Sequence, residues 1–319
     1  MEESSFRDRI GYDGKIEDIS NAVCKGFNLG KFLSDKLIGV GYEDFNLALE
    51  TNKGKYFVKV FANFRNDENC QRYIDVMSAA INAGVKTPKL IKSGQGYLNR
   101  LEVNDTKLRL CLMDYVEGRT IFDLKEYLNH DEVRFIAKQA SIINSINIKP
   151  KPIYDNWAVA NFDKEFKERG KYLSSNDMKL IKPLVKEFED LRIEELPHSF
   201  VHGDIITTNV MKDDNDNLWI IDFAVSNYYP RIQELAVLAC NLFFNPENKE
   251  ETENNLKIAL KEYQKKIRLT ERELSVLPAY TKLAHAMHVL SANYSKVAQN
   301  NTSEENEYWL QQGRLGLTQ

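Results

Sequence analysis

Apolar and polar residues alternate along the first third of the chain in the pattern typical of β-strands. These strands are predicted over residues 36–40, 45–51 and 55–61, around residue 90, and over residues 107–115. Residues 52–54, Asn-Lys-Gly, supply the turn of a hairpin between two of them. Helices with an apolar stripe are predicted over residues 16–32 and 67–83. The pattern therefore predicts a small antiparallel β-rich lobe that carries a helix and is preceded by another.

Apolar residues recur at helical spacing through most of the remaining chain. These helices are predicted over residues 135–146, 163–172, 177–191, 233–244, 251–267 and 272–297, with a surface loop over 299–306 before a last short helix. A chain of 319 residues is about twice the usual size of one domain. We therefore predict an α+β protein with an N-terminal lobe over residues 1–116 and a larger, mainly helical lobe over residues 117–319.

The composition is that of an ordinary globular protein. Hydrophobic residues make up 43% of the chain and charged residues 28%, which is enough apolar material for a sizeable core. The 43 basic and 47 acidic residues give a formal net charge of −4, and no dense stripe of Lys and Arg is present. We therefore expect no nucleic acid partner.

The cysteines and the apolar stretches indicate where the protein resides. The four cysteines are far apart and lack the spacing of a metal site, so we expect free buried thiols in a reducing compartment. Residues 1–14 lack the apolar core of a signal peptide, and no stretch approaches the roughly 18 apolar residues of a membrane span. The expectation is a cytoplasmic protein with no membrane partner, and the oligomeric state does not follow from the sequence.

The most informative stretch of the chain runs from residue 201 to residue 223. It contains a His-Gly-Asp run that ends at Asp204, then Asn209 five positions later, and Asp222 thirteen positions after that. Residues 213–217 form a turn between two short apolar runs, so we expect the chain to fold Asp222 back toward Asn209.

These three residue types meet the needs of phosphoryl transfer, which requires an oriented nucleophile and neutralised phosphate charge. Asp204 can accept the proton of an attacking hydroxyl, and the oxygens of Asn209 and Asp222 can bind Mg²⁺. An ordinary loop and hairpin with capping Asp and Asn is the alternative for any one of these residues. Taken together, the three residues predict a catalytic site.

At these residues the sequence resembles the aminoglycoside phosphotransferase and choline kinase superfamily, whose signature is HGDxxxxN followed by a strand that ends in IDF. The resemblance extends from about residue 16 to beyond residue 242 and is closest to the homoserine-kinase-type branch. It implies a bilobal protein-kinase-like fold and an enzyme that uses ATP and Mg²⁺ to phosphorylate a hydroxyl of a small metabolite or antibiotic. It also implies that Asp204 is the catalytic base and that Asn209 and Asp222 hold the metal ion.

The N-terminal lobe contains a lysine that fits this resemblance. Lys59 lies among apolar residues of a predicted strand, where an ammonium group is costly to bury unless it is paired. The resemblance implies that it contacts the nucleotide phosphates and pairs with an acidic residue of the following helix. Asp75 is the predicted partner and Glu68 the alternative, since residues seven apart share one edge of a helix.

The remaining nucleotide contacts are implied by the resemblance alone. Gly39 and Gly41 belong to a turn where the backbone could approach the phosphates closely. Met113 and Tyr115 stand where the family has its hinge, whose backbone would receive the adenine.

The identity of the phosphate acceptor stays open between an amino alcohol, a hydroxy amino acid, an aminoglycoside and a sugar. Trp157, Tyr228 and Tyr229 could form an aromatic surface for a quaternary ammonium group, and Arg231 could instead hold a carboxylate. Glu234 stands near the position of a family aspartate and is interpreted as structural support for the catalytic loop.

Two other functions are compatible with the same fold. One is a kinase that acts on a protein side chain, although no segment resembles an activation loop. The other is a catalytically silent nucleotide-binding or partner-binding module, although Asp204, Asn209 and Asp222 are all present.

Overall fold

The computed structural model describes residues 3–39 and 44–319, which divide into two compact units. The first unit comprises Met1–Asn82 and Thr87–Glu117, and the second comprises Ala83–Lys86 and Gly118–Gln319. The main division, after Glu117, lies one residue from the boundary predicted between residues 116 and 117.

The first unit is built around an antiparallel sheet. Its strands are β1 (Phe32–Ile38), β2 (Phe45–Thr51), β3 (Gly54–Val60), β4 (Leu90–Ile91), β5 (Asn99–Val103) and β6 (Thr106–Asp114). Its helices are α1 (Glu3–Ile10), α2 (Ile16–Phe27) and α3 (Asp67–Asn82). The strand order is β1-β2-β3-β6-β4, with β5 also paired to β6. Buried side chains of α2, β2, β3 and β6 form one apolar core.

The predicted hairpin between β2 and β3 is confirmed, and the predicted first helix is too long. Phe45 lies opposite Val60 and Thr51 opposite Gly54, so the turn falls where it was expected. Helix α2 ends at Phe27 because Asn28 adopts the left-handed conformation and caps the helix with its backbone N–H. The chain can then enter β1 at Phe32.

The second unit is mainly helical. Its helices are α4 (Ile121–Leu124), α5 (His130–Asn144), α6 (Phe162–Arg169), α7 (Ser175–Ile181), α8 (Leu184–Leu191), α9 (Ile232–Cys240), α10 (Lys249–Tyr263), α11 (Glu271–Ala298) and α12 (Glu304–Thr318). Its short strands are β7 (Gly118–Thr120), β8 (His198–Val201), β9 (Val210–Asp213), β10 (Leu218–Ile220) and β11 (Asn227–Pro230). They form a three-stranded sheet, β10-β9-β7, and a pair, β11-β8.

Most helix boundaries of this unit differ from the prediction by one to five residues, and two differences have an evident cause. The helix predicted over residues 177–191 is divided into α7 and α8, because Pro183 lacks the N–H needed to continue a helix. The loop predicted over residues 299–306 ends earlier, since the Ser303 side chain caps α12 by accepting the Asn306 N–H.

The coarse predictions agree with the structure. The α+β fold class, with an antiparallel β-rich part followed by a larger helical part, is confirmed. All four cysteines are free and buried, as expected. Within residues 3–39 and 44–319, no helix has the length and apolarity needed to cross a membrane.

Candidate active site

The predicted catalytic residues lie on a loop between two short strands of the helical unit. Strand β8 leads into residues 202–209, β9 and β10 form the hairpin that follows, and Asp222 comes two residues after β10. The Ile221 N–H donates to the Asn209 carbonyl at 3.0 Å, which places the backbone of Asp222 beside Asn209. The predicted return of the chain is therefore confirmed.

His202 ties the catalytic loop to the segment that carries Asp222. Its Nδ1 accepts the Asp204 N–H at 3.2 Å, and its Nε2 lies 3.2 Å from the Ile221 carbonyl. Burial lowers the pKa of the imidazole to about 4, opposed by Asp222 and the Ile221 carbonyl. The ring is therefore neutral at pH 7, and the bond to Asp204 assigns its proton to Nε2. This histidine holds the loop in place without carrying a charge.

Asp204 and Asn209 contact each other directly. The Asn209 amide nitrogen donates to Asp204 Oδ2 at 2.6 Å and to the Asp204 carbonyl at 3.0 Å. These bonds fix the Asp204 carboxylate and leave its Oδ1 as the atom that can accept a proton. They also leave the Asn209 amide oxygen as an acceptor.

The surroundings of Asp204 favour its protonated form. Withdrawal from water raises its pKa to about 8, and the nearby carboxylates of Asp155, Asp222 and Glu305 add to the effect, against the bond from Asn209. A carboxyl group with a pKa near physiological pH is suited to general-base catalysis.

Asp222 has a strained backbone. Its φ of 62° lies in the left-handed region, which costs a non-glycine residue on the order of 1 kcal/mol or more. Its Oδ1 accepts the Ala224 N–H at 3.2 Å. Together Asp222 and Asn209 offer one carboxylate and one amide oxygen. An all-oxygen donor set of this kind fits Mg²⁺.

Glu234 of α9 supports the loop from below, as the sequence predicted. It is fully buried and accepts the N–H groups of His202 at 2.7 Å and Gly203 at 3.2 Å. The Asn144 side chain donates to it at 3.2 Å and accepts the Tyr263 hydroxyl at 2.7 Å. Burial raises the pKa of Glu234 to about 7, against these hydrogen bonds.

Glu234→Ala is expected to lower the free energy of unfolding by about 3 kcal/mol, because the buried donors of His202, Gly203 and Asn144 lose their acceptor. Denaturant unfolding followed by fluorescence measures this change. The control is Glu250→Ala, an exposed glutamate of α10 whose loss is expected to change stability by less than about 0.5 kcal/mol. An equal effect of the two substitutions would contradict the assigned role.

The raised pKa of Asp204 also predicts how stability depends on pH. In metal-free protein the folded state keeps a proton on Asp204 between about pH 4 and pH 8, where the unfolded chain has lost it. This contribution to stability is complete below the unfolded pKa and is lost as the pH rises through the folded pKa. Asp204→Asn should therefore be more stable than the wild type at pH 8, and the difference should shrink toward pH 5. Unfolding in EDTA-containing buffers tests this, and a difference that grows toward pH 5 would refute it.

Lys59 of the first unit is buried and paired with a carboxylate, but the partner is Asp44. Lys59 Nζ lies 3.2 Å from Asp44 Oδ2, and Arg65 Nε lies 2.9 Å from Asp44 Oδ1. Asp44 also accepts the Ala62 N–H at 3.1 Å. Burial alone would raise the pKa of Asp44, but Lys59, Arg65 and this N–H outweigh it and hold the pKa below its usual value.

The predicted pairing of Lys59 with Asp75 is wrong. Asp75 is exposed on α3 and accepts a hydrogen bond from the Gln71 side chain at 2.8 Å. The helix buries the faces that carry Tyr73 and Met77, and Asp75 lies on the opposite one. Glu68, the alternative, is exposed as well.

A signal for Asp44 was present in the predicted hairpin. Asn46 lies opposite Lys59 in the register of β2 and β3. Since side chains alternate between the two faces of a sheet, residue 44 belongs to the same face as residue 46 and is a diagonal neighbour of Lys59. Extending the hairpin by one residue would have found it.

Of the other predicted nucleotide contacts, three lie within the described residues and one does not. Gly39 is exposed and follows β1, whereas Gly41 lies outside the described residues. Met113 is buried in β6 opposite Phe57, and Tyr115 is half-buried just after this strand. Their roles stay predictions.

Two suggestions about the acceptor site are not supported. Arg231 forms a two-bond ion pair with Glu273 at 2.6 and 2.8 Å, so its guanidinium group is engaged in the fold. The Tyr228 ring packs on His198 and under the Lys149 ammonium group. The backbone N–H of Trp157 donates to Asp155 Oδ1 at 2.9 Å, so this predicted aromatic residue lies beside one of the carboxylates that raise the pKa of Asp204.

Comparison with known proteins extends these findings. The model of the phosphotransferase enzyme family, APH, matches residues 35–268. A homoserine kinase of Methylobacillus flagellatus is 20% identical over 218 residues, and the match covers 67% of this chain and 65% of that kinase.

Solved structures with low sequence identity share the fold. A spectinomycin phosphotransferase in complex with ADP and spectinomycin has a TM-score of 0.69 at 13% identity, covering 95% of this chain and 98% of that one. An amicoumacin kinase in complex with AMP-PNP, Ca²⁺ and Ami also has a TM-score of 0.69, at 15% identity, covering 99% of this chain and 96% of that one. The choline kinase of Streptococcus pneumoniae has a TM-score of 0.62 at 15% identity, covering 94% of this chain and 99% of that one.

The fold is thus the one that these solved phosphotransferases and kinases share. Because the family model covers well over half of its length, the chain belongs to the phosphotransferase enzyme family. The resemblance inferred from the HGD signature is thereby confirmed.

Proposed function

We propose that the protein is a kinase that transfers the γ-phosphate of ATP to a hydroxyl group of a small molecule, with Mg²⁺ as its metal ion. The observation that carries the proposal is the arrangement of Asp204, Asn209 and Asp222 on one loop and the strand that follows it. It combines the Asp204 carboxylate, whose pKa is raised, with the side-chain oxygens of Asn209 and Asp222 as proposed metal ligands. The backbone segments of these last two residues lie side by side.

Each residue has one role in the proposed reaction. The acceptor oxygen forms a bond to the γ-phosphorus, the bond from that phosphorus to the bridging oxygen of ADP breaks, and Oδ1 of Asp204 takes the hydroxyl proton. Asn209 and Asp222 would hold Mg²⁺, which neutralises phosphate charge when bound. The bond from Asn209 orients the base toward the acceptor.

Lys59 is the proposed contact of the α- and β-phosphates, and Asp44 positions its ammonium group. Gly39, Gly41, Met113 and Tyr115 remain the proposed backbone contacts of the nucleotide. Because Asp44 takes the place predicted for Asp75 as the partner of Lys59, Asp75 is not proposed as part of the nucleotide site.

Asp44→Asn is expected to lower the free energy of unfolding by about 3 kcal/mol, because it removes the buried carboxylate that Lys59 and Arg65 both contact. It should also raise the KM for ATP, since the ammonium group loses its positioning partner. Denaturant unfolding and steady-state kinetics measure the two effects. Asp105→Asn, in the exposed turn between β5 and β6, is the control. Unchanged values of both quantities would contradict the role.

The proposed acceptor is an alcohol that also carries a cationic nitrogen. The carboxylates of Asp155 and Glu305 stand near Asp204, and a positively charged acceptor would offset their repulsion. Proteins with a similar fold support this class, since they include a spectinomycin phosphotransferase, an aminopropanol kinase and a choline kinase.

The test is ADP release from Mg²⁺-ATP across a panel of amino alcohols, hydroxy amino acids, aminoglycosides and neutral sugars, with Asp204→Asn as the blank. The proposal predicts release with amine-bearing alcohols by the wild type only. Release with neutral sugars alone would refute the acceptor class and leave the kinase. Clear ATP binding without release across the panel would favour a nucleotide-binding module. Release that appears only when a protein acceptor replaces the panel would favour a protein kinase.

A further inference from the structure

A second cluster of metal-binding residue types lies in the helical unit, apart from the catalytic loop residues. It consists of Cys240, the last residue of α9, and of His285 and His288 on α11. One ligand atom of each residue lies within 4.8 Å of the others. The two histidines are three positions apart, so they project from one face of their helix. The sequence offered no spacing signal, because Cys240 is 45 residues from the first histidine.

The cluster is enclosed by the fold. Cys240, His285 and His288 are only 1%, 3% and 8% exposed. The His285 ring packs on Phe244 with centroids 4.8 Å apart, and the His288 ring on Trp309 at 5.2 Å. Burial lowers the pKa of His285 to about 3 and that of His288 to about 4, so both rings are neutral, as metal-ligating imidazoles are.

Both histidines leave a buried nitrogen without a protein partner. Nδ1 of His285 and Nδ1 of His288 have no hydrogen bond to any residue in the described parts of the chain. A buried polar atom without a partner costs roughly 1–3 kcal/mol. Two such nitrogen atoms beside a thiol indicate that they bind a ligand that is not part of the protein chain.

Helix α12 is shaped to leave room for the histidines. A side chain at position 313 would have its Cβ 2.6 Å from the His285 carbonyl, and one at position 316 would overlap the His285 imidazole. Glycines at both positions therefore let α12 approach while the ring keeps its place. His285 therefore lies between α11 and α12, and side chains carried by helices are held in more precise directions than side chains on loops.

We propose that Cys240, His285 and His288 bind one thiophilic metal ion with a filled d shell, Zn²⁺ or Cu⁺. One thiolate and two neutral imidazoles balance the single charge of Cu⁺, and the same set with a water molecule completes the tetrahedron of Zn²⁺. Without metal, the Cys240 thiol donates a hydrogen bond to the Val237 carbonyl at 3.3 Å. Metal binding releases this thiol proton to solvent. Bond lengths of about 2.0–2.3 Å require the ligand atoms to move to roughly 3.5 Å from one another.

The experiment loads metal-free full-length protein with Zn²⁺, with Cu⁺ under reducing conditions, or with Co²⁺ as a spectroscopic substitute. The expected result is one ion per chain, a Tm raised by roughly 5–10 °C, and a sulfur-to-cobalt charge-transfer band. Whichever of Zn²⁺ and Cu⁺ binds at one equivalent identifies the ion. Absence of stoichiometric binding by both would overturn the proposal.

Variants separate this site from other metal-binding groups. Cys240→Ser and His288→Gln should each abolish the charge-transfer band and the rise in Tm. Cys111→Ser, which removes another fully buried thiol, and His130→Gln, which removes an exposed histidine, should keep both. Asp222→Asn should also keep the band, because the proposed Mg²⁺ ligands play no part. A band that survives Cys240→Ser, or one that is lost in a folded Cys111→Ser variant, would contradict the assignment; circular dichroism establishes that the variant is folded.

Discussion

Asp204→Asn is expected to lower kcat by about three orders of magnitude while leaving the Kd for ATP within about twofold, because it removes the only proposed proton acceptor and no proposed nucleotide contact. An asparagine is nearly the same size and keeps an oxygen that can accept the Asn209 amide bond. Stopped assays of ADP release and calorimetric titration with ATP measure the two quantities.

The control for this experiment is Asp214→Asn, an exposed aspartate in the turn between β9 and β10 of the same hairpin. It should behave as the wild type. If Asp204→Asn retained more than about a tenth of the wild-type kcat, proton transfer to this carboxylate would not be part of the reaction, since a general base contributes at least about a hundredfold.

Asp222→Asn is expected to lower kcat by roughly a thousandfold at ordinary Mg²⁺ concentrations and to raise the Mg²⁺ concentration for half-maximal activity. The reason is that a carboxylate ligand is replaced by a neutral amide, which binds a hard cation more weakly, and the metal supplies several kcal/mol of charge stabilisation. Titration of kcat with Mg²⁺ at saturating ATP measures both effects.

Asp216→Asn is a closely matched control for Asp222. Asp216 has the same residue type and a φ of 61° against 62°, but it is exposed in the β9–β10 turn. Its substitution should leave the Mg²⁺ dependence unchanged. A normal Mg²⁺ requirement in Asp222→Asn would show that this side chain does not hold the metal ion.

The catalytic loop could be predicted from the sequence because its residues are close along the chain. Asp204, Asn209 and Asp222 lie within one loop and one hairpin, and the turn between β9 and β10 was visible in the polar run over residues 213–217. Their spacing along the chain was therefore enough to predict that these three residues lie close together in the structure.

Contacts between distant elements could not be predicted in the same way. The seven-residue spacing identifies an edge of α3 but not which face of the helix is buried, so it leads to Asp75 or Glu68 as the partner of Lys59, whereas the structure has Asp44. The cluster of Cys240 with His285 and His288 depends on how α9 packs against α11, which no local pattern records. Strands of three or four residues, such as β7 to β11, are too short to show a clear alternation.

The most direct test of the proposed function is phosphorus NMR of the reaction of wild-type protein with Mg²⁺-ATP and an amine-bearing alcohol that gave ADP release. The proposal predicts a new phosphomonoester signal that grows in step with ADP, with no matching rise in inorganic phosphate. Growth of inorganic phosphate alone would mean that water, not the alcohol, receives the phosphoryl group, and would contradict the kinase assignment.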